Sequence, residues 1–586
     1  MRLAVDIASA VVIAIVAVLA VLTFRDYGIT WDEPWHWAYG DHIAHWFETL
    51  GADRSALSYR ADYLYGGAFD LLAALVRRSA PESLPHWQTQ HLLGAMVGVL
   101  GLVGAWRLAR QLGGPVAGLA TTVMLATTPV YYGHMFNNPK DVPFAVGYVW
   151  AVHTLCIVAS RLPAVRRGDW ILLSVAAGLA MGVRVGGLLI LCYLIVVIGA
   201  QCWQRGRQTQ SLSGAADMAR RLALPTAGVV AGAWAVMLAT WPWALGDPLR
   251  RPVLALGQMT RYLLHERTMP FAGAPMRTTE PRWDYLAHYF GLKLPVVLLV
   301  LAAVGLGLAA VGWRARRRGL APWDGHSRAV GVVVMATLFP PLYAASVGSV
   351  LYDGLRHFLF VVPLLAVAAG CAVALIPKRV AARWLGGSVR WAAALTALVV
   401  VALCGRTATQ MVALHPHQYA YFNLLAGGLA GASGRYDTDY YGNAYKEGFG
   451  RLADHLWRTE PDTYLNHDYV LSGCLPDVIA YRYIQPGFQW RERDLWRRPP
   501  QMANVEPDLY LGYTRADCDR NHAGSPEIER VQRDGALLVR IRDLRGSHAV
   551  QAPAPSTVSE PQPGRYRGRR RGSTWVKPTA QPTEAP

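Results

Sequence analysis

The 586-residue chain contains little charge: 16% of its residues are Asp, Glu, Lys or Arg, whereas 53% are hydrophobic. A soluble protein carries about 25% charged residues, so the composition argues against a soluble multidomain protein. The apolar residues fall in repeated runs of about 18–23 residues, each long enough to cross a hydrocarbon core of about 30 Å. The sequence therefore predicts a polytopic membrane protein.

Cysteine is also scarce, with seven in the chain. Five of them lie in or beside apolar runs without metal-ligand spacing, and we expect them to be small packing residues. Cys474 and Cys518 differ because both lie in the one segment that is predicted to be soluble. If that segment faces an oxidising compartment, the two form a disulfide candidate. His415 and His417, separated by one proline, lack metal spacing, so no zinc site is predicted.

The net charge of +18 does not indicate a nucleic-acid partner, because the arginines cluster at alternate ends of the apolar runs. Positive charge of this kind marks cytoplasmic loops. The sequence therefore predicts an all-α polytopic membrane bundle of about eleven transmembrane helices, with the N-terminus inside and the C-terminus outside. The predicted spans are residues 4–24, 88–106, 114–132, 142–159, 170–183, 186–203, 222–243, 291–313, 329–348, 357–376 and 391–408.

One pair of spans depends on Arg184, which interrupts an apolar stretch between glycines at 182 and 186. A tight turn at the outer face, with a helix on either side, keeps the later arginine-rich loops cytoplasmic. The alternative is a single long helix with a buried Arg184, which would invert the topology of everything downstream. We favour the two-helix interpretation.

Three domains are predicted. Residues 1–408 form the transmembrane catalytic domain, 409–550 a small periplasmic α/β domain, and 551–586 a disordered tail rich in proline and arginine. Within the second domain, residues 509–513 and 536–541 read as strands and 445–457 as a helix. Residues 248–265, in an outer loop, are predicted to form an amphipathic helix on the membrane surface.

The first group of candidate functional residues directly follows the first span, in the sequence Thr-Trp-Asp-Glu-Pro-Trp-His at residues 30–36. Asp32 and Glu33 are adjacent carboxylates beside tryptophans at a membrane edge, where a carboxylate could act as a general base toward a hydroxyl. The alternative is an interfacial aromatic belt with incidental acids. The consecutive acids, together with His36, fit that alternative poorly.

The second group is the polar turn at residues 131–144. Lys140 is suited to hold a phosphate as a point charge, and Asp141 stands where the following helix would begin. His134 and Asn138 belong to the same turn. The structural alternative is that Asn138 and the following proline make the turn while Asp141 caps the helix.

The third group, Arg356 and His357, enters the tenth predicted span. A guanidinium at the head-group level suits bidentate binding of a phosphate. Simple snorkelling of the arginine to the interface is the alternative.

With these motifs the chain resembles the GT-C superfamily of integral-membrane glycosyltransferases, in the branch of protein O-mannosyltransferases and lipid A aminoarabinose-type transferases. The resemblance depends on Asp32 and Glu33 in the first outer loop, on the polar turn that contains Lys140 and Asp141, and on Arg356 before a late span. It covers roughly residues 1–425.

The resemblance implies transfer of a sugar from a polyprenyl-phosphate donor to a hydroxyl acceptor, at the periplasmic face of an inner membrane. It implies Asp32 as the base, with Glu33 orienting the base or the acceptor. Candidates for substrate binding are His36, His134, Asn138, Lys140, Asp141, Arg184, Arg356 and His357. The chain lacks a nucleotide-binding glycine fingerprint, which agrees with a lipid-linked donor. No cofactor is predicted with certainty; Mg²⁺ or Mn²⁺ near Asp32, Glu33 and Asp141 stays open.

Two other functions compete with this one. A transporter or flippase of a lipid-linked or anionic substrate would place its polar residues near the bilayer midplane, whereas here they cluster toward one face. A non-catalytic scaffold would not require Asp32, Lys140 and Arg356 to converge in space. A separation of more than about 20 Å among these three would exclude a single site. The sugar, the acceptor and the prenyl length are not specified by the sequence.

Overall fold

The computed structural model describes residues 2–260, 266–384, 388–484, 488–490 and 506–546. It is predominantly helical, and nine of the helical segments in these residues are long and apolar enough to cross a membrane. The protein is therefore a multi-pass membrane protein, as predicted. Its helices are α1 Arg2–Thr23, α2 Glu33–Glu48, α3 Ala68–Ser79, α4 His86–Ala126, α5 Pro129–Asn137, α6 Asp141–Arg161, α7 Arg167–Val183, α8 Leu188–Thr209, α9 Leu212–Leu238, α10 Pro242–Leu245, α11 Arg250–Thr260, α12 Tyr285–Lys293, α13 Val296–Arg317, α14 Gly325–Val347, α15 Val362–Trp384, α16 Val389–Leu414, α17 Gly428–Ala432, α18 Tyr445–Thr459, α19 Pro461–Asn466 and α20 Asp477–Tyr483.

Helix α4 contains two of the predicted spans because the chain reverses within it. Gly114 has φ 81° and ψ −174°, a non-helical conformation that glycine alone adopts readily. A Cβ built on Gly118 would lie 2.9 Å from the Trp106 ring, and residues twelve apart in one straight helix would be about 18 Å apart. The segment is therefore a tight helical hairpin, in agreement with the two predicted runs.

The uncertain stretch around Arg184 also consists of two helices. Helix α7 ends at Val183, a short 3-10 turn spans Val185–Gly187, and α8 begins at Leu188. A Cβ on Gly187 would meet the backbone of residues 180 and 181 at 2.6–2.9 Å, so the chain folds back closely on itself here. At 17 residues, α7 is slightly shorter than the nine helical segments that qualify as spans.

Helix α6 lies at the centre of the bundle, and most of its residues are buried. It packs against α4, α7 and α14. In contrast, α1, α13 and α16 have largely exposed apolar side chains, as expected for helices that face lipid. The bundle therefore has a packed interior and an apolar rim.

Short elements cover one end of the bundle. They include α2, α3, α5 and α12, together with an antiparallel hairpin of β1 (Thr268–Phe271) and β2 (Ala274–Arg277). The predicted amphipathic helix over residues 248–265 is represented by α11; residues 261–265 lie outside the described residues.

A mixed five-stranded sheet follows the bundle. Its strands are β3 Tyr469–Gly473, β4 Phe488–Trp490, β5 Leu509–Tyr513, β6 Glu527–Arg533 and β7 Ala536–Asp543. The order is β4-β3-β5-β7-β6, with β3 parallel to β4 and β5, and β7 antiparallel to β5 and β6. Helix α18 covers this sheet. We call the described residues from 445 to 546 the sheet region.

The sheet region agrees with the small α/β fold predicted for this part of the sequence, including the helix near residue 445 and the two named strands. Cys474 follows β3 and Cys518 follows β5; the structure joins them as a disulfide with Cα atoms 6.3 Å apart. The predicted boundaries of the three domains stay predictions, and the predicted disordered tail, residues 551–586, lies outside the described residues.

Candidate active site

Asp32, Lys140 and Arg356 converge in a single ion-pair cluster at the covered end of the bundle. Oδ2 of Asp32 lies 2.9 Å from Lys140 Nζ and 3.0 Å from an Arg356 nitrogen. The Tyr441 hydroxyl donates to the same oxygen at 3.4 Å and accepts from Arg356 at 2.9 Å. The three residues belong to different parts of the chain, and their convergence meets the condition set above for a single site.

The backbone places each of these groups at the end of a helix. Asp32 directly precedes α2, Lys140 directly precedes α6, and Arg356 begins a 3-10 turn that leads into α15. Polar groups collect at such ends because the helices themselves are apolar. The cluster therefore lies at one end of the bundle.

Asp141 forms the second half of the cluster. It pairs with Arg184 through one oxygen, and its other oxygen lies 3.4 Å from Arg356 and accepts from the Asn138 amide at 3.0 Å. The expectation that Asp141 itself caps the helix is wrong: the Asn138 side chain accepts from the backbone N–H of Asp141 at 2.9 Å. The Asp141 carboxylate is thereby available to pair with two arginines.

Access to the cluster differs from one residue to the next. The side chains of Lys140, Asp32 and Arg184 are 10–18% exposed, whereas that of Arg356 is 2% exposed. Lys140 and Arg184 both lie over the ring of Tyr65, at 5.2 and 5.7 Å from its centroid. The two cations are therefore neighbours on the open side, with Arg356 behind them.

Electrostatics stabilises the charged forms of Asp32 and Lys140. Burial alone would raise the pKa of Asp32, but Lys140 and Arg356 hold it well below its usual range. Burial alone would lower the pKa of Lys140, but Asp32 raises it above its ordinary value. Both groups are therefore ionised at neutral pH, and the Asp32 carboxylate is compensated by cations.

Asp353, which the sequence prediction did not include, continues the network. Its Oδ2 lies 3.0 Å from Arg356, and its Oδ1 lies 2.6 Å from Arg267 and 3.1 Å from Arg515. Although burial would raise the pKa of Asp353, Arg515, Arg356 and Arg267 lower it. The only sequence feature that could have indicated a role for Asp353 is its position three residues before Arg356.

Glu33 does not point into this cluster. It accepts from the backbone N–H of Thr30 at 2.7 Å and lies 2.9 Å from His91 of α4, with both side chains fully buried. Asp32 and Asp141 thus share Arg356 as a partner, whereas Glu33 pairs elsewhere. Among the described residues, no group of three or more His, Cys, Asp and Glu side chains is arranged to hold a metal ion.

The histidines occupy two further positions. Nδ1 of His36 lies 3.0 Å from Asp70; burial alone would lower the pKa of His36, but the Asp70 carboxylate raises it above its ordinary value. His134 bonds to the Tyr440 hydroxyl at 2.8 Å and to Asn138 at 3.2 Å; burial lowers its pKa to about 3, so it is neutral. His357 packs edge-on against Tyr352.

Residues 88–216 match the profile of the family described as dolichyl-phosphate-mannose-protein mannosyltransferase. This match agrees with the resemblance that the motifs indicate, and it includes the Lys140 turn and Arg184. A search of curated protein sequences returned no significant match.

Three solved structures with a similar fold are distant from this chain in sequence. ArnT from Cupriavidus metallidurans bound to undecaprenyl phosphate has 16% identity and a TM-score of 0.46, covering 91% of this chain and 97% of that one. The oligosaccharyltransferase AglB from Archaeoglobus fulgidus has 13% identity and a TM-score of 0.43, covering 79% and 62%. The arabinosyltransferase EmbB from Mycobacterium smegmatis has 14% identity and a TM-score of 0.34, covering 63% and 30%.

Proposed function

We propose that the protein is a membrane glycosyltransferase that moves a sugar from a polyprenyl-phosphate donor to a hydroxyl acceptor, with Asp32 as the general base. The observation that carries this proposal is the Asp32 carboxylate shared between Lys140 and Arg356. It combines a base with cations suited to phosphate at one end of an apolar bundle. The family match over residues 88–216 supports the same class of reaction.

The donor phosphate meets Lys140 and Arg184 first, because these cations are adjacent and partly exposed. Their ammonium and guanidinium groups neutralise the phosphate as it becomes the leaving group. The prenyl chain lies against the apolar helices, so only the phosphate and the sugar enter the polar cluster. Arg356, buried behind, holds the Asp32 and Asp141 carboxylates in position.

In the reaction, Asp32 takes the proton of the acceptor hydroxyl. The hydroxyl oxygen forms a new bond to the anomeric carbon, the bond from that carbon to the phosphate oxygen breaks, and the polyprenyl phosphate leaves with the electron pair. A carboxylate whose pKa is far below its usual range is a weak base. Donor phosphate that engages Lys140 draws this cation away from Asp32, which raises the pKa of Asp32 at the moment a base is needed.

The other residues have supporting roles. Nε2 of His36 is buried without a hydrogen-bond partner among the described residues, one helical turn after Asp32, and is placed to receive a sugar or acceptor hydroxyl. Glu33 positions the Asp32 loop through Thr30 and His91. His134 and Asn138 hold Tyr440 and Asp141 in place.

The cluster lies at the opposite helix ends from the arginine-rich loops. Asp141 begins α6 and Arg161 ends it, about 30 Å away for 21 residues. Because such loops remain in the cytoplasm, we place the active site on the periplasmic face of an inner membrane. The position of the cluster at one end also disfavours a transporter, which would bind its substrate near the midplane.

The test is transfer of radiolabelled sugar in membranes that contain the protein or lack it, with polyprenyl-phosphate sugars and nucleotide sugars offered separately. We expect label to move from a polyprenyl-phosphate donor only, into a protein, lipid or glycan fraction that identifies the acceptor. Transfer from nucleotide sugars alone would exclude the proposed donor. Movement of intact donor across reconstituted vesicles without sugar transfer would instead support the flippase.

A further inference from the structure

The sheet region touches the ion-pair cluster through the side chain of Arg515, which is 15% exposed. One Arg515 nitrogen lies 3.1 Å from Asp353, and another donates to the backbone carbonyl of Tyr440. Its guanidinium also lies 6.0 Å from the ring of Trp31, the residue before Asp32. We infer that Arg515 is a positioning residue for the proposed transfer reaction and that the Cys474–Cys518 disulfide holds it in place.

The position of Arg515 follows from the fold of the sheet region. It lies two residues after the end of β5, at the start of a 3-10 turn that ends at Arg520. The next two residues, Ala516 and Asp517, have φ values of 55° and 54°, a left-handed conformation that costs about 1–3 kcal/mol for each non-glycine residue. Neighbouring contacts must therefore hold the turn in this shape.

Two such contacts converge on Cys518. A Cβ built on Gly512 would lie 2.4 Å from the Cys518 carbonyl, so the turn lies directly against β5. The disulfide then joins Cys518 to Cys474, which follows the parallel neighbour β3. The turn that carries Arg515 is thereby anchored to two adjacent strands.

Arg515 acts on the site through Asp353. This carboxylate is 3% exposed and pairs with Arg267 and Arg515 through one oxygen and with Arg356 through the other. Arg356 in turn contacts Asp32 and Asp141. Without Arg515, Asp353 would lose one of its cations and would attract Arg356 more strongly, away from Asp32.

A second connection runs through the backbone. By accepting from Arg515, the Tyr440 carbonyl anchors a pair of tyrosines whose hydroxyls contact the site. The Tyr440 hydroxyl bonds to His134, and the Tyr441 hydroxyl bonds to Arg356 and Asp32. Displacement of reacting groups by about 1 Å can reduce a rate by about 100-fold, so we expect a kinetic effect although Arg515 itself is not a catalytic residue.

The experiment compares Arg515→Gln, Arg515→Lys and Arg520→Gln in the purified full-length protein. Arg520 is the matched control, since it ends the same turn with its side chain 73% exposed. Two quantities are measured: transfer from a polyprenyl-phosphate sugar, and binding of a polyprenyl phosphate that lacks the sugar. We expect Arg515→Gln to lower kcat/KM by about 10–100-fold, Arg515→Lys to recover part of the loss, and Arg520→Gln to resemble the wild type.

Double variants distinguish a positioning role of Arg515 from a merely structural one, because changes that act through the same contacts give losses that do not add. In an Asp353→Asn background, Arg515→Gln should cost less than it does alone, because the connection through Asp353 is already broken and only the one through the Tyr440 carbonyl remains. The double variant Cys474→Ser with Cys518→Ser should reproduce the loss of Arg515→Gln, and the two should not add. Independent, additive losses, or equal losses for Arg515→Gln and Arg520→Gln, would overturn the inference.

The inference rests on the proposed function. The two measurements, sugar transfer and polyprenyl-phosphate binding, show whether the inference or the proposed function has failed. If the wild type transfers sugar and Arg515→Gln does so equally well with unchanged thermal stability, the inference fails and the function stands. If the wild type binds polyprenyl phosphate without transferring sugar, the proposed function fails. Binding by Arg515→Gln then tests the position of the cations by itself: weaker binding supports the inference and equal binding overturns it.

Discussion

Asp32 Oδ2 and Lys140 Nζ lie 2.9 Å apart, although the two residues are separated by more than a hundred positions and four helices. The pair joins the residue that would accept a proton to a cation that would accept the donor phosphate. In the proposed reaction, binding of the phosphate to Lys140 therefore frees the Asp32 carboxylate from its ion pair, so that it can act as a base. This link makes the consequences of changing either residue distinct and measurable.

Replacement of Lys140 by glutamine should affect both donor binding and the pH profile. The donor KM should rise by about 10-fold or more, because a charge-assisted contact of about 1.5–3 kcal/mol to the phosphate is lost. With one cation gone, the pKa of Asp32 should rise, so the acid limb of kcat/KM should move to higher pH. The measurement is initial rate against donor concentration from pH 4 to 8.

Arg54→Gln serves as its control, because it removes one positive charge from an exposed position in the loop after α2. If Lys140→Gln and Arg54→Gln changed the KM equally, general surface charge would explain the effect. An unchanged acid limb in Lys140→Gln would contradict the pairing with Asp32.

Glu33→Gln should behave differently from changes at Asp32. Glu33 Oε1 lies 2.9 Å from His91 Nε2, with both side chains fully buried, and a buried polar group that loses its partner costs about 1–3 kcal/mol. We therefore expect a clear loss of thermal stability, with transfer by the folded fraction within about 10-fold of wild type. The measurement is thermal unfolding in detergent alongside transfer normalised to folded protein; normal stability with abolished transfer would instead assign Glu33 to the chemistry.

Gly114→Ala should destabilise the helical hairpin through backbone strain alone. No atom lies within 4 Å of a Cβ added at Gly114, but its φ of 81° disfavours any side chain. The expected cost is about 1–3 kcal/mol. Gly228→Ala, in α9 and also without a neighbour within 4 Å, should be neutral or slightly stabilising. Equal thermal stability of the two variants would refute the reversal of the chain at Gly114.

Glu447→Gln tests how the sheet region is attached. Burial would raise the pKa of Glu447, but its bonds to His417 and Arg533 lower it to about 2 from an ordinary 4.5. A carboxylate with a depressed pKa stabilises the fold above its unfolded pKa, and this contribution is lost as the pH falls. The free energy of unfolding should therefore drop in Glu447→Gln by about 1–3 kcal/mol near pH 7.

The difference between this variant and the wild type should shrink as the pH falls from about 4.5 toward 2. Asp454→Asn, an exposed change on the same helix α18, is the matched control and should show no such trend. A pH-independent difference for Glu447→Gln would mean that the ion pairs with His417 and Arg533 do not supply the stability.

Much of this architecture could be predicted from the sequence because it depends on local patterns. Apolar runs correspond to helices, the glycines around Arg184 mark a real break, and strands β5 and β7 follow their residue pattern. Asp32, Lys140 and Arg356 are charged residues at the ends of predicted spans, and the folded helices bring them together.

The partners of the site residues could not be predicted, since they depend on tertiary packing. Nothing in the sequence distinguishes Asp32 from its neighbour Glu33, yet one faces a lysine and the other a buried histidine of α4. Asp353 and Arg515 are separated by 162 positions, and only the docked sheet region makes them neighbours. The paired tyrosines 440 and 441 follow the last span closely, but their role depends on Arg356.

The most direct test of the account is the single-turnover rate of Asp32→Asn, with donor binding measured in parallel. Loss of the base should lower the rate by about 10²–10⁴-fold. Polyprenyl-phosphate binding should be retained or tightened, because Lys140 and Arg356 lose a competing carboxylate. A near-wild-type rate in Asp32→Asn would contradict the account, and it would remove Asp32 from the chemistry even if the donor bound normally.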